Sequence, residues 1–204
     1  MNLNATVAAF KNGLEELETM VAQTEREVIG TELVNSIITS NVNFFAKSFL
    51  ISACAHLEMC IKDIVFEVAK DIDSRLSSVS VPSSIVEWRY NQKKKGEQAI
   101  YKNNFCSIGM TKKEIDDLVS GNVFKTKEAL AIVGVELGVD KAKWETWKEL
   151  IQNIVTRRNN IVHHNDDASD LSLGDIRKYI KSILSYIDYI IFACNSQNAS
   201  SAVD

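Results

Sequence analysis

The sequence predicts an all-α fold, a bundle of long antiparallel helices, and three observations carry that expectation. Helix breakers are scarce, with 8 glycines and 1 proline in 204 residues. Ala, Leu, Ile, Glu and Lys recur throughout, and most of them are good helix formers. Apolar residues return at steps of three and four, the period of a helix that buries one face. With 46% hydrophobic residues the chain can bury one substantial core. Residues 1–195 therefore read as a single domain and 196–204 as a flexible polar tail.

Taken in order, Leu3, Val7, Phe10, Leu14, Leu17, Val21 and Val28 form a narrow apolar seam interrupted at Thr24. Such a seam either packs on the rest of the domain or docks on a second copy. A short helix over Thr31 to Ser40 completes the N-terminal helices, residues 1–40. The stretch 42–76, "VNFFAKSFLISACAHLEMCIKDIVFEVAKDIDSRL", is apolar nearly all round at its start and amphipathic later, as expected of a bundle's central helix. Within it Glu58 and Lys62 stand four apart in the favourable orientation for an ion pair on one helix face, and His56 and Glu58 are candidates for a polar site shared with another helix.

Residues 77–110 form a polar and basic insert. It contains Pro82 and, between Glu87 and Asn103, the cations Arg89, Lys93, Lys94, Lys95 and Lys102 against Glu87 and Glu97, a local charge of +3. Trp88, Tyr90 and Tyr101 are interleaved. Arg89, Lys93, Lys94, Lys95, Tyr90 and Tyr101 are thus candidates to hold a single RNA strand by phosphate contact and base stacking. The plainer reading is a solvated basic loop.

The C-terminal helices, 111–194, begin with Thr111 and Glu114 in capping-box spacing, and that helix closes by Gly121. "FKTKEALAIVGVELGV" predicts a helix ending near Gly138. "DKAKWETWKELIQNIVTRRNNIVHH" predicts a longer one with Trp144, Trp147, Leu150, Ile151, Ile154, Val155, Ile161 and Val162 on its buried side. Ser172 and Asp175 can cap the last helix, whose stripe is Leu173, Ile176, Ile180, Ile183, Ile187 and Ile190.

Several function classes drop out. A net charge of -4 gives the whole surface no attraction for nucleic acid or membrane, so any polyanion site must be local. Cys54, Cys60, Cys106 and Cys194 lack CxxC spacing, which argues against structural zinc and a disulfide framework. Three histidines with no H-E-x-x-H argue against metal-dependent hydrolysis, and no Gly-rich phosphate loop is present. No metal and no cofactor is expected. No secretory leader pattern or apolar span appears at the N-terminus or elsewhere, which gives the expectation of a cytoplasmic protein with no membrane partner.

The chemistry concentrates in "TRRNNIVHHNDD", Thr156 to Asp167. On a regular helix Asn159 and His163 share a face, whereas Arg158 lies about 140° around the axis from His163. Arg158 and His163 converge only if the helix end loosens after His163 or if a second helix presents the same motif. Arg157 and His164 occupy another face. The alternative is structural: basic residues in a last turn complement the helix dipole.

"RRNNIVHH" resembles the R-x(4-6)-H signature of HEPN domains, in which a polar residue follows the arginine; here these are Arg158, Asn159 and His163. The helix "FLISACAHLEMCIKDIV" is similar to the central helix of the RiboL-PSP-HEPN-like branch, with an "hxxLE" step at His56, Leu57 and Glu58. The resemblance spans roughly residues 42 to 192 in pattern, and its specific part is the short signature. It implies a HEPN-like helical bundle, usually dimeric, and in many members a metal-independent endoribonuclease acting as a toxin or in defence against phage; other members are inactive. The chain departs from the commoner pattern at His164, where a small residue is frequent, and in its longer basic insert.

The residues fit that chemistry. Cleaving RNA without a metal needs a group to take the 2'-OH proton, a group to protonate the leaving 5'-oxygen, and cations to hold the phosphate. Histidine in general titrates near neutral pH, and arginine binds phosphate in a bidentate fork. His163 is expected to move protons, Arg158 to hold the phosphate and Asn159 to orient one of them. Arg157, His164 and Glu58 form a second tier. One histidine for two proton transfers points to a homodimer with a composite site. RNA and an antitoxin or defence partner are the expected partners. The competing function is a non-catalytic module that binds RNA, a nucleotide or a protein through the same surface.

Overall fold

Leu3, Val7, Leu14, Leu17 and Val21 are all buried, and the helix that carries them, α1 (Leu3–Ile29), lays this seam against the rest of the same chain. The structure, a computed structural model, describes residues 3–30, 37–77, 109–164 and 167–200. Among these residues the regular structure is entirely helical. After α1 come α2 (Ile37–Ser40), α3 (Val42–Ser77), α4 (Lys112–Leu118), α5 (Val123–Ile132), α6 (Lys141–His164) and α7 (Leu173–Ser200).

The core is the space between α1, α3 and α7, extended by α6 packing on α3 and α7. Leu14, Leu50, Leu57, Ile61, Ile64, Ile154, Ile176 and Tyr186 are among its fully buried side chains. Polar contacts set the directions of the helices. Lys11 meets Asp188, while Arg177 reaches Glu18 at 2.8 Å and Glu25 at 3.1 Å, so α1 and α7 run antiparallel. Trp147 packs on Tyr186 and Tyr189, and Arg157 pairs with Asp170 near the connecting turn, so α6 and α7 are antiparallel as well. At Gly13 α1 lies close against α3: a Cβ there would be 2.8 Å from His56 Nε2. His56 Nδ1 donates to Ser52 O at 2.9 Å, so this histidine serves the α1–α3 contact.

Local chemistry explains where the helices begin. Thr111 Oγ1 accepts from the Glu114 amide and Glu114 reaches back to the Thr111 amide at 2.7 Å, the reciprocal capping box expected for α4. Asn122 Oδ1 accepts from the Phe124 and Lys125 amides and starts α5. Asp140 Oδ1 accepts from the Lys143 amide at the start of α6. Ser172 and Asp175 cap α7 as the spacing predicts, with Asp175 N donating to Ser172 Oγ at 3.0 Å.

The ends depart further from expectation. α5 stops at Ile132, not near Gly138: Gly134 takes a φ of 79°, and Val135 N donates to Leu130 O at 2.8 Å while Gly134 N donates to Ala131 O at 3.0 Å. That Schellman pair, with Val135 and Leu130 both buried, ends the helix one turn before the apolar pattern does. α7 continues to Ser200 instead of ceding to a tail at 196, because no Gly or Pro follows Gly174 to end it. Val162, placed on the buried side of α6 by its neighbours, is 45% exposed. Of the short helix expected over 31–40, the described part is Ile37–Ser40. Of the insert expected over 77–110, residues 78–108, with Arg89, Tyr90, Lys93, Lys94, Lys95 and Tyr101, lie outside the described residues.

Candidate active site

Two helices and one loop meet at a cavity of about 180 Å³ near the C-terminal end of α6. Cys54 and Glu58, four apart on α3, form one wall. Val155, Arg158 and Asn159, at steps of three and four on α6, form the second. The third is the connection from α4 to α5, Ser120, Gly121 and Asn122, with Lys125 from the first turn of α5. The helical period thus collects the first two walls, and the capped start of α5 brings the third across to them.

Arg158 is half-buried. Its Nη1 donates to Asn159 Oδ1 at 2.9 Å, and its Nε is enclosed without a hydrogen-bond partner. A guanidinium N–H shut away from water without an acceptor is costly, unless another molecule's oxygen takes it. Glu58 is held by Lys62 at 3.0 Å, and Lys62 also meets Asp116 at 3.2 Å. Burial of the Lys62 ammonium works against its charge, yet the hydrogen bonds to Glu58 and Asp116 outweigh this and raise its pKa above the ordinary value. Burial pushes the Cys54 thiol up to about 12, with the Arg158 charge opposing and Glu58 adding to the shift. Cys54 is therefore a neutral thiol at physiological pH, and the charges facing the cavity are those of Arg158, Lys125 and Glu58.

Of the residues singled out by sequence, Arg158, Asn159 and Glu58 share this cavity. His163 and His164 are exposed in the last turn of α6 and are not among its lining residues. The helix is regular through His164, so the loosened end that would have let Arg158 and His163 converge within one chain is not found. Five residues of helix set their backbones about 7.5 Å apart along the axis. Arg157 faces away and pairs with Asp170 across the turn to α7. His56 belongs to the contact with Gly13 and does not reach the cavity.

Ser120, Gly121, Asn122 and Lys125 were not legible as site residues. The sequence marks Gly121 as a helix stop and Asn122 as a cap, both correctly, but no spacing rule joins them to a motif more than thirty positions later. Only the packing of α5 on α6 and α3 does so.

The protein is thus an all-α bundle with a cationic cleft walled by its central helix and its motif helix. The family described as RiboL-PSP-HEPN matches residues 21–195, and the chain belongs to this family. No curated protein and no solved structure gives a match. Among the described residues no helix is long and apolar enough to cross a membrane.

Proposed function

We propose that the protein is a metal-independent endoribonuclease of the HEPN type, serving as a toxin or an antiphage effector. The observation that carries this reading is the state of Arg158: a half-buried guanidinium inside the family's motif, with an enclosed Nε–H unsatisfied and no carboxylate within ion-pair reach among the described residues. A phosphate oxygen of RNA would satisfy that donor and meet the charge in a bidentate fork. The 2'-OH of the preceding ribose attacks the phosphorus, the bond to the 5'-oxygen breaks, and the products are a 2',3'-cyclic phosphate and a 5'-hydroxyl. His163 takes or returns the proton, Asn159 fixes the Arg158 fork, and Glu58 borders the phosphate site.

Arg158 and His163 do different work from different places, and a homodimer resolves the separation. In a two-fold dimer two copies of the motif face one shared cleft, each supplying an Arg158 and a His163, and the pair of histidines supplies both acid and base. RNA is the substrate partner, and an antitoxin or defence-system protein is the expected regulator.

The test is RNA cleavage in EDTA by the wild type, by Arg158→Ala, by His163→Ala and by a mixture of the two variants. Cleavage by the wild type, loss in each variant and partial recovery on mixing is the expected pattern, since mixed dimers rebuild one cross-chain pair. No recovery on mixing, with each variant dimeric, would remove the composite site. One observation also favours a binding module without chemistry: His163 stands clear of the Arg158 cavity in the single chain. Under that reading the wild type retains RNA and never yields a cyclic phosphate end.

A further inference from the structure

The Lys125 amide is capped by Asn122, but its side chain has no part in the cap or the core and lines the same cavity as Arg158. It is exposed and makes no ion pair with any described carboxylate. Two cations without carboxylate partners therefore border one concavity. The third charged group, Glu58, is paired with Lys62, and the cavity lining holds two cations against this one carboxylate. The amides at the start of α5 are already taken by Asn122 Oδ1, so the helix terminus itself offers little to an anion; the side chains carry the attraction. Ser120 and Asn122 line the same cavity and are neutral polar residues.

Gly121 keeps the cavity open. A Cβ built there would lie 3.6 Å from Glu58 Oε2, an ordinary contact, so alanine is tolerated while a larger side chain must extend into the space between α3 and α6. Its backbone is not in the left-handed region, so the reason for glycine here is room for an occupant and not conformation.

We propose that the Lys125 side of this cavity, beyond the Arg158 site for the scissile phosphate, is a subsite for the adjacent phosphodiester, with Lys125 as its cation and Gly121 as the residue that leaves it open. The inference rests on the RNA-cleavage reading above and extends it: Arg158 holds the scissile phosphate, and Lys125 sets the register of the strand across the cleft. Lys125 is a substrate-binding residue with no part in proton transfer.

The experiment measures binding of a fluorescently labelled single-stranded RNA of mixed sequence to the full chain carrying His163→Ala, over a range of salt concentrations. Lys125→Ala is expected to lower the slope of log affinity against log salt by about 0.7, the loss of one phosphate contact to a single strand. The same release of counterions makes binding about fivefold weaker at 0.1 M salt. Gly121→Leu, which changes no charge, is expected to weaken binding by at least as much, with Gly121→Ala close to the parent. Lys178→Ala, on α7 and away from the cavity, leaves both affinity and slope as they were. In the cleaving protein Lys125→Ala raises KM and spares kcat. An unchanged slope for Lys125→Ala, parental affinity for a folded Gly121→Leu, or an equal loss for Lys178→Ala would overturn the subsite while a cleaving wild type kept the function. A wild type that neither binds nor cuts RNA would overturn both.

Discussion

Arg177 and Arg158 are two half-buried arginines on neighbouring helices, and the difference between them separates structure from function. Arg177, on α7, is met by two carboxylates of α1, Glu18 at 2.8 Å and Glu25 at 3.1 Å. Every reason for its charge is inside the molecule, and the result is a clamp that sets how α1 lies on α7. Arg158, on α6, is met by a neutral amide oxygen of its own neighbour and keeps an enclosed Nε–H without an acceptor. Folding alone gives no return for that arrangement. Arg157 repeats the first case one position away, since Asp170 accounts for it. Adjacent arginines in one motif thus have opposite fates, and the unsatisfied one faces a cavity.

The comparison breaks most sharply in the chemistry. His163→Ala is expected to reduce RNA cleavage by about 10² to 10⁴, the usual contribution of a positioned acid or base. Arg158→Ala should follow with about 10² to 10³, the scale of losing one charge-stabilising donor. Neither change should lower the melting temperature, since His163 is exposed and Arg158 gives no ion pair to lose. A clear drop in melting temperature for Arg158→Ala would make it a second Arg177.

The thiols sharpen the contrast at the next level. Burial pushes Cys54, beside Arg158, and Cys194, on the Arg177 helix, each up to about 12 from an ordinary 9.0. A raised thiol pKa means that above pH 9 the unfolded chain has lost protons that the folded chain still holds. Stability therefore falls as pH rises from 9 toward 12, by about 1.4 kcal/mol per pH unit for each such thiol. Thermal melts at pH 8 and pH 10 check the sign, and Cys194→Ala should flatten the slope. Iodoacetamide at pH 7.5 should leave Cys54 unmodified in the folded protein; rapid labelling would mean that Arg158 has overcome burial.

The smallest effect is at the clamp. Arg177→Ala should lower the melting temperature by a few degrees at most, because the pair is partly solvated, and should leave cleavage intact below that temperature. Loss of cleavage in a folded Arg177→Ala protein would tie α1 to the site and dissolve the distinction.

Much of this fold was legible because it rests on local rules. The seam of α1, the stripe of α7 and the capping boxes at Thr111 and Ser172 depend on neighbours within one or two turns, and each lies where its spacing placed it. Expectations failed where a single backbone conformation or a missing breaker decided the outcome, at Gly134 and beyond Cys194. The candidate site was legible by half. Arg158, Asn159 and Glu58 announce themselves by residue type and motif, and the cavity collects all three.

What the sequence determined by itself was the class of fold, the helix starts and the chemical inventory of the motif, because periodicity and capping act over a few residues. Tertiary structure alone decided which of two adjacent arginines is neutralised, that Lys125 and Gly121 line one cavity with Arg158, and that His163 is exposed. Those outcomes depend on how separate helices cross, and a carboxylate's presence or absence in space is set by packing between elements far apart in the chain.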